Sequence, residues 1–511
     1  MKKLTSLLRW IDDNLIKIFL AVFIFLIPLY PKFPLIDLEY TYISVRFEDL
    51  FVALFYVIFV LQVLRKKIIL RKKFLLLFVF FWIATLASFF VGFYLQKTIP
   101  VYQIGFLHAL RRIEYMFVFF IAVSAIASKK DFPFYLNLYF IALLLVGLYG
   151  IGQRFTDLPA VQTMNPEYAR GRILTLTPEA RISSTFGGHF DLSAYLVFSI
   201  PLVLGYYFFS EKKKYAILFA LSITTLLYTA QRISFIAYVI SVTTFLMFFR
   251  KFRFFVFTAI LTAALMFVTG DLSKRFAQTF QFKQVFVNLQ TGDVVIDQTI
   301  TTRELPAGGF EIPLLSKKGK KTARQVVLDE KTKKEILEIA REQARKEALR
   351  EGRTPTNKEA EKRAQQIAGL INVKNTVLCD ISCSTRLQVE WPRAIASFIQ
   401  NPLFGTGPSS ITEATDNDYL RWLGELGLLG TVLFVYILYS LVYTIIQTAK
   451  KASQDQKYLF LGFLFGLFAL FINATYIDVF EASKVAYSFW LMAGLVVGQA
   501  ALVRNSNVSS L

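Results

Sequence analysis

Arginines that could bind a phosphorylated group lie in three separate segments of the chain. Arg181 precedes His189 by eight residues, Arg232 lies between two apolar runs, and Arg386 precedes Trp391 by five residues. The planar guanidinium group matches phosphate oxygens with two hydrogen bonds, so each of these side chains is a candidate ligand for an anionic headgroup. Position alone also allows snorkelling of Arg232 to lipid headgroups and an ordinary salt bridge for Arg181.

Carboxylates that could assist proton transfer are concentrated just before residue 428, where an apolar run begins. Asp416, Asp418 and Glu425 flank Tyr419 in this segment. A carboxylate can act as a general base, but Asp416 or Asp418 can equally cap the helix that carries Tyr419, and the sequence alone favours the cap. His189 is typical of a hydrogen-bonded structural histidine, although an imidazole also suits proton transfer.

Membrane-spanning helices must position these residues. About twelve apolar runs are long enough to cross a hydrocarbon core of roughly 30 Å. They lie near residues 14–30, 49–64, 74–95, 113–127, 136–152, 192–209, 214–230, 233–249, 254–270, 428–447, 458–474 and 487–503. Clusters of Lys and Arg fall in every second gap, as at 65–67, 129–130 and 450–451. The positive-inside rule therefore predicts cytoplasmic N and C termini and places the other gaps outside.

The predicted fold is an all-α polytopic membrane protein with a large extracytoplasmic α+β insertion between the ninth and tenth helices. The predicted domains are a membrane domain at 1–270, an extracytoplasmic loop domain at 271–427, and the last three helices with a short cytoplasmic tail at 428–511. The long outward segment and its neighbours are therefore expected to contain the functional site.

The loop domain divides by composition. Alternating apolar and polar residues around a Thr-Gly-Asp turn predict a β-hairpin-like structure within 282–314. The segment 316–368 is rich in Ala, Glu, Lys and Arg, which predicts a charged helical insertion. Residues 386–427 form the predicted site segment, and Gly405 and Gly407 predict a tight turn within it.

Composition also limits the class of protein. Of the 511 residues 55% are hydrophobic, and the net charge is +21. The basic excess lies mostly at the ends of the apolar runs, so it indicates contact with membrane lipid rather than with nucleic acid. Cys379 and Cys383 allow either a disulfide bond or two unpaired thiols, and with histidines only at positions 108 and 189 we expect no metal site. The first run is expected to remain as an uncleaved helix.

Four segments together resemble the O-antigen ligase and O-antigen polymerase superfamily of bacterial envelope glycosyltransferases. They contain Arg-Ile-Ser-Ser-Thr-Phe-Gly before an apolar run, the turn Gln-Arg-Ile-Ser, the motif Asn-Pro-Leu-Phe-Gly-Thr-Gly, and Asp-Asn-Asp-Tyr-Leu followed by Glu-Leu-Gly-Leu-Leu-Gly. These segments lie within 181–195, 231–234, 386–407 and 416–430. The number of apolar runs and the long outward loop also fit this family.

The resemblance implies the transfer of a glycan from an isoprenoid diphosphate lipid of the undecaprenyl type, without a metal or cofactor. The reaction would take place on the outer face of the bacterial cytoplasmic membrane, and the acceptor hydroxyl would belong to a glycan, a lipid or a protein. Arg232 and Arg386 match the family's diphosphate-binding positions, and Arg181 is a further candidate ligand. Supporting positions are Trp391, Tyr419 and Glu425.

The resemblance also identifies a candidate base. The family's base is a histidine directly before Asn-x-Tyr, and this chain has Asp416 at that position. Because a carboxylate can take the same role, the working hypothesis is that Asp416 is the base. His189 and Asp418 are the alternatives, and an inactive protein is the third outcome that this departure allows.

Other functions are also compatible with a polytopic chain. A lipid-linked sugar flippase or another transporter has a similar number of spans, but it predicts charged residues deep within several of them, and few are present here. An O-linked oligosaccharyltransferase would use the same donor with a protein acceptor. A non-catalytic anchor presenting 282–368 to a partner would leave the residues between 386 and 430 unexplained.

Overall fold

The structure is a computed structural model. It describes residues 2–37, 44–68, 70, 72–163, 170–177, 180–288, 294–295, nine positions between 337 and 366, 371–379, 381–411 and 415–508. The chain divides into two compact units, one formed by Met1–Ser273 with Trp391–Leu511 and the other by Lys274–Glu390.

Helices account for most of the described residues, which confirms the predicted mostly helical chain. They are α1 Lys2–Leu29, α2 Phe47–Leu64, α3 Leu75–Phe90, α4 Tyr102–Ala125, α5 Asp131–Phe155, α6 His189–Ser210, α7 Lys213–Tyr228, α8 Arg232–Phe248, α9 Phe252–Thr269, α10 Asp271–Thr279, α11 Ile381–Thr385, α12 Trp391–Gln400, α13 Asp418–Lys451, α14 Gln454–Asn473 and α15 Ser483–Val508. A 3₁₀ turn at Lys72–Phe74 precedes α3, a π-helical turn at Val91–Leu95 follows it, and a second π-helical turn spans Arg386–Glu390. Each predicted apolar run overlaps one of these helices.

Among the described residues, eight helices are long and apolar enough to cross a membrane. They are α2, α3 with its π-helical turn, α5, α6, α9, α13, α14 and α15 as far as Arg504. The helix α8 is apolar but shorter, at 17 residues. The predicted count of about twelve spans, the cytoplasmic termini and the extracytoplasmic position of the insertion stay predictions.

The helices α6 and α15 lie at the centre of the first unit. Of their apolar stretches 83% and 89% are buried, against 17% for α9, which leaves most of its apolar surface open as a lipid-facing helix does. The helix α6 packs against α14, and α15 packs against α4. Trp490 of α15 makes edge-on ring contacts with Phe78 and Phe119 at centroid distances of 5.3 and 6.4 Å. This packing fixes the ends of the central helices relative to one another.

Two short antiparallel strand pairs follow the ends of α1 and α5, and the sequence analysis did not predict them. They are β1 Pro34–Asp37 with β2 Ser44–Arg46, and β3 Pro159–Gln162 with β4 Arg172–Thr175. Strands of three or four residues are too short for apolar alternation to identify.

The second unit contains a three-stranded antiparallel sheet. Its strands are β5 Phe280–Asn288, β6 Val294–Val295 and β7 Ile371–Cys379, in the order β6-β5-β7. Phe286 and Val287 pair with Val295 and Val294, around the predicted turn at 291–293, which lies outside the described residues. The predicted helical insertion at 316–368 also lies almost entirely outside them. Cys383 is disulfide-bonded.

Residues 391–427, which the sequence analysis assigned to the loop domain, lie in the first unit. The helix α12 packs against α13, and Ala394 of α12 is completely buried. The segment carrying Gly405 and Gly407 is joined to α13 by backbone hydrogen bonds described below. These contacts tie the segment before α13 to the helices of the first unit.

Candidate functional site

Arg232 is the first residue of α8, directly after a tight link from α7. Only Thr229, Ala230 and Gln231 separate the two helices, and Ala230 has φ +50° to make the turn. Gln231 is the N-cap residue, but its side chain forms no capping hydrogen bond. The first N–H groups of a helix have no partner within the helix, so this end carries a partial positive charge beside the Arg232 guanidinium.

The first turns of α6 and α8 meet at the end of α14. The Ser234 hydroxyl of α8 contacts the Ser193 hydroxyl of α6 at 2.9 Å and the Asn473 Oδ1 atom of α14 at 3.0 Å. All three residues are completely buried. The helix α13 begins at the same place, because the backbone N–H of Asp418 donates to the carbonyl of Ala474. The N-termini of α6, α8 and α13 therefore converge, and such ends favour a bound anion.

Two buried amide groups next to these N-termini lack partners. Among the described residues, neither Gln231 Nε2 nor Asn473 Nδ2 has a hydrogen-bond partner. Gln231 is 6% exposed, and Asn473 is not exposed at all. A buried donor without a partner costs about 1–3 kcal/mol, so a bound acceptor that satisfied both donors would gain affinity. The sequence analysis missed Asn473, whose only signal is an amide at the end of an apolar run.

Arg181 and His189 are brought together. Arg181 Nη1 lies 2.5 Å from His189 Nε2. Because guanidinium has no acceptor, the imidazole must accept at Nε2 and carry its proton on Nδ1. A proton taken up at Nε2 would break this hydrogen bond, so the geometry disfavours His189 as a base while Arg181 is in place.

Lys32 adds a cation to the first turn of α6 that the sequence analysis did not identify. Its Nζ atom lies 3.8 Å from the Asp191 carboxylate. Burial lowers the pKa of the Lys32 ammonium, and the Asp191 charge opposes that change. The Asp191 carboxylate therefore offsets the Lys32 charge within the first turn of α6, which begins at His189.

The segment around Asp416 is held by Asp478, which lies between α14 and α15. The Asp478 carboxylate accepts backbone N–H bonds from Thr415, Asp416 and Asn417 at 2.9, 3.0 and 3.1 Å. Asp416 itself has φ +51° and a partly buried side chain. Residues other than glycine that are held in this left-handed region concentrate at functional sites, and Asp tolerates it better than most.

The predicted helix cap was wrong by one residue. Asn417, not Asp416 or Asp418, caps α13 by accepting the backbone N–H of Leu420 at 3.1 Å. Asp418 is completely buried, and its carboxylate accepts the N–H groups of Val479 and Phe480 at 2.7 and 3.3 Å. The Asp418 side chain therefore joins α13 to the loop before α15.

Glu425 is the centre of a buried ionic network. It pairs with Arg112 of α4 and with Arg421 at 3.7 Å, and it accepts the Ser409 N–H at 3.1 Å. Arg421 in turn contacts Asp478 at 3.1 Å. Because Asp478 holds the backbone of 415–417, the network connects α4 to the Asp416 segment.

The adjacent arginines Arg111 and Arg112 of α4 both form salt bridges. Arg111 pairs with Asp49 at 3.5 Å, and Arg112 pairs with Glu481 at 2.7 Å as well as with Glu425. Glu114, in the next turn of α4, accepts a hydrogen bond from the Tyr487 hydroxyl at 2.7 Å.

The predicted turn at Gly405 and Gly407 is confirmed. It packs against α13 at Gly427, where the helix is interrupted. Both glycines have positive φ, and Gly427 within α13 has φ +63° and ψ −167°. The N–H groups of Leu428 and Leu429 donate to the carbonyls of residues 402 and 403, and those of Thr406 and Gly407 donate to residues 424 and 425. A Cβ atom at Gly427 would overlap the Leu403 carbonyl. The break separates the first turns of α13, residues 418–426, from the apolar helix that follows.

The remaining predicted site residues have structural contacts. The Tyr419 hydroxyl donates to the Phe471 carbonyl of α14 at 2.9 Å, and the Trp391 ring packs edge-on against Tyr476 at 6.3 Å. Arg386 lies in the second unit, where it is buried and donates to the Ser382 carbonyl at 2.6 Å. Its partnership with Arg232 stays a prediction.

Comparison with known proteins agrees with the motifs. The model of the O-antigen ligase family matches residues 217–435, a range that contains Arg232, Arg386 and Asp416. A search of curated proteins found no match. The match over residues 217–435 confirms the resemblance to the O-antigen ligase family that the sequence motifs indicated.

Proposed function

We propose that this O-antigen ligase-like membrane enzyme transfers a glycan from an isoprenoid diphosphate lipid to an acceptor hydroxyl. The reaction would take place on the outer face of the bacterial cytoplasmic membrane, as an O-antigen ligase or a polysaccharide polymerase. The observation that carries the proposal is the convergence of the N-termini of α6, α8 and α13 around Arg232 and two buried amide donors.

The leaving group explains why such an arrangement would catalyse the reaction. Breaking the bond between sugar and diphosphate leaves a highly charged anion, and donors fixed in advance stabilise developing charge without reorganising. Arg232, the first N–H groups of α8, and the amides of Gln231 and Asn473 are donors of this kind. Together they could neutralise the diphosphate without a metal ion. Arg386 is the proposed second guanidinium, on the strength of its motif.

The acceptor hydroxyl must lose a proton as it attacks, and Asp416 is the proposed base. Its backbone is held by Asp478, while its carboxylate has a partly buried position. The two alternatives fit less well because the Nε2 atom of His189 binds Arg181 and the carboxylate of Asp418 binds backbone N–H groups.

The test uses the purified full-length protein, a lipid-linked glycan donor and separate lipid, glycan and protein acceptors. Replacing Arg232 by alanine removes charge at the developing anion and should lower the transfer rate about 10²–10³-fold, as loss of an oxyanion donor does. Arg386→Ala should also reduce transfer. Arg253→Ala is the matched control, because Arg253 is an exposed arginine near the start of α9.

The outcome separates the proposed function from the alternatives. Normal transfer by Arg232→Ala would remove Arg232 from the site. Movement of intact donor across a vesicle membrane, with no transfer to any acceptor, would indicate a flippase instead. Transfer to the protein acceptor alone would identify an oligosaccharyltransferase.

A further inference from the structure

A cleft with a volume of about 520 Å³ lies at the far end of α8 from Arg232. Its walls come from the ends of α8 and α13 and from the start of α14. Since α8 has 17 residues at about 1.5 Å each, the cleft lies about 25 Å from the candidate site. Asp418 and Asn473 occupy the opposite ends of α13 and α14. The cleft is therefore separate from the proposed active site.

The lining contains both cationic and apolar side chains. Its cations are Arg250, Lys450 and Lys457, and its apolar side chains include Phe248, Ile446 and Leu461. No carboxylate is among the described residues that line it. In the part of the chain that the structure describes, none of the three cations forms an ion pair. Three positive charges thus face one cavity without a counterion from the protein.

This lining also brings together two basic clusters that are far apart in sequence. Arg250 belongs to the cluster at 250–253, and Lys450 belongs to the cluster at 450–451. The positive-inside rule predicts both on the cytoplasmic side, where anionic lipids give the membrane surface a negative potential. A free anion would use the charges alone, whereas a lipid would use both the charges and the apolar wall.

We propose that the cleft binds an anionic phospholipid of the cytoplasmic leaflet. The lipid phosphate would lie among Arg250, Lys450 and Lys457, and an acyl chain would run along Phe248, Ile446 and Leu461. The volume falls within the range of roughly 300–1,000 Å³ that is usual for small-molecule sites. Basic pockets between membrane helices are known to bind lipid headgroups in this way.

The test measures lipid binding to the purified full-length protein by native mass spectrometry. The probes are dioleoylphosphatidylglycerol and, as a neutral lipid of similar size, dioleoylphosphatidylcholine. The cleft variant combines Arg250→Gln, Lys450→Gln and Lys457→Gln. The control variant combines Lys129→Gln, Lys212→Gln and Lys213→Gln, which removes the same charge from exposed positions on the same predicted side.

The cleft variant should bind phosphatidylglycerol about tenfold or more weakly than the wild type, since each basic residue near a lipid surface contributes about 1 kcal/mol. The control variant should bind it normally. Equal weakening in both variants would show attraction by bulk charge and overturn the proposal. Binding of phosphatidylcholine as tight as that of phosphatidylglycerol would also overturn it.

A second variant separates lipid from free phosphate and does not depend on the charged residues. Leu461→Trp should fill the apolar wall and weaken phosphatidylglycerol binding while all three cations are retained. Two results together would assign the cleft to a phosphate ion and refute the lipid assignment. Millimolar inorganic phosphate would displace the lipid, and Leu461→Trp would bind phosphatidylglycerol as tightly as the wild type does. Each variant should unfold at the same temperature as the wild type, which would show that its fold is intact.

Discussion

The two ends of α8 carry similar charges in different surroundings. At its N-terminus, Arg232 stands beside completely buried hydroxyl and amide groups of α6, α8 and α14. At the other end, Arg250 is exposed, follows the helix with φ +54°, and faces an open cleft. The same apolar helix thus separates a packed polar cluster from a set of solvated cations.

The difference shows why the presence of an arginine alone does not locate a catalytic site. An electrostatic interaction strengthens when water is excluded and the donors are already fixed, so the Arg232 end is suited to stabilising a transition state. Exposed cations are screened by salt and interact more weakly, which suits the reversible binding of lipid.

The largest effect is expected at Asp416. Asp416→Asn should lower the transfer rate about 10²–10⁴-fold, because it removes the proposed base while keeping the size of the side chain. Asparagine tolerates the left-handed backbone at φ +51° as well as aspartate does, so the local structure should survive. The measurement is the rate of transfer at saturating donor. Asp416→His, which restores the family's residue, should retain activity, and an unchanged rate in Asp416→Asn would move the base elsewhere.

The next effect concerns the buried ionic network rather than the reaction. Glu425→Gln leaves Arg112 and Arg421 without one of their counterions, and breaking a buried pair costs about 3–5 kcal/mol. The detergent-solubilised variant should therefore unfold at a clearly lower temperature than the wild type. Glu211→Gln is the control, because Glu211 is exposed and also has a left-handed backbone. Equal unfolding temperatures for both variants would show that the network contributes little to stability.

Local sequence patterns were enough to predict the helices, because each apolar run carries its own requirement for burial in lipid. They also placed Arg232 at the start of a helix. They could not predict the pairing of Arg112 with Glu425, since these residues are 313 positions apart and neither belongs to a shared pattern. Each of residues 416–418 has a side chain that can cap a helix. In the structure the cap is Asn417, whose backbone N–H also donates to Asp478 in another loop. The second guanidinium, Arg386, stays a motif-based prediction.

The smallest expected effect comes from replacing one buried amide by a carboxylate at each end of the helical bundle. Asn473→Asp keeps the acceptor for the Ser234 hydroxyl but replaces the unpaired Nδ2 donor with a negatively charged oxygen. If the diphosphate binds at the converging N-termini, the KM for the lipid donor should rise about tenfold, with a smaller change in kcat. Gln499→Glu is the matched control, because Gln499 is a buried amide near the opposite end of α15 from the site. A similar KM in both variants would show that the Asn473 amide has only a structural role. It would then be removed from the proposed diphosphate site around Arg232.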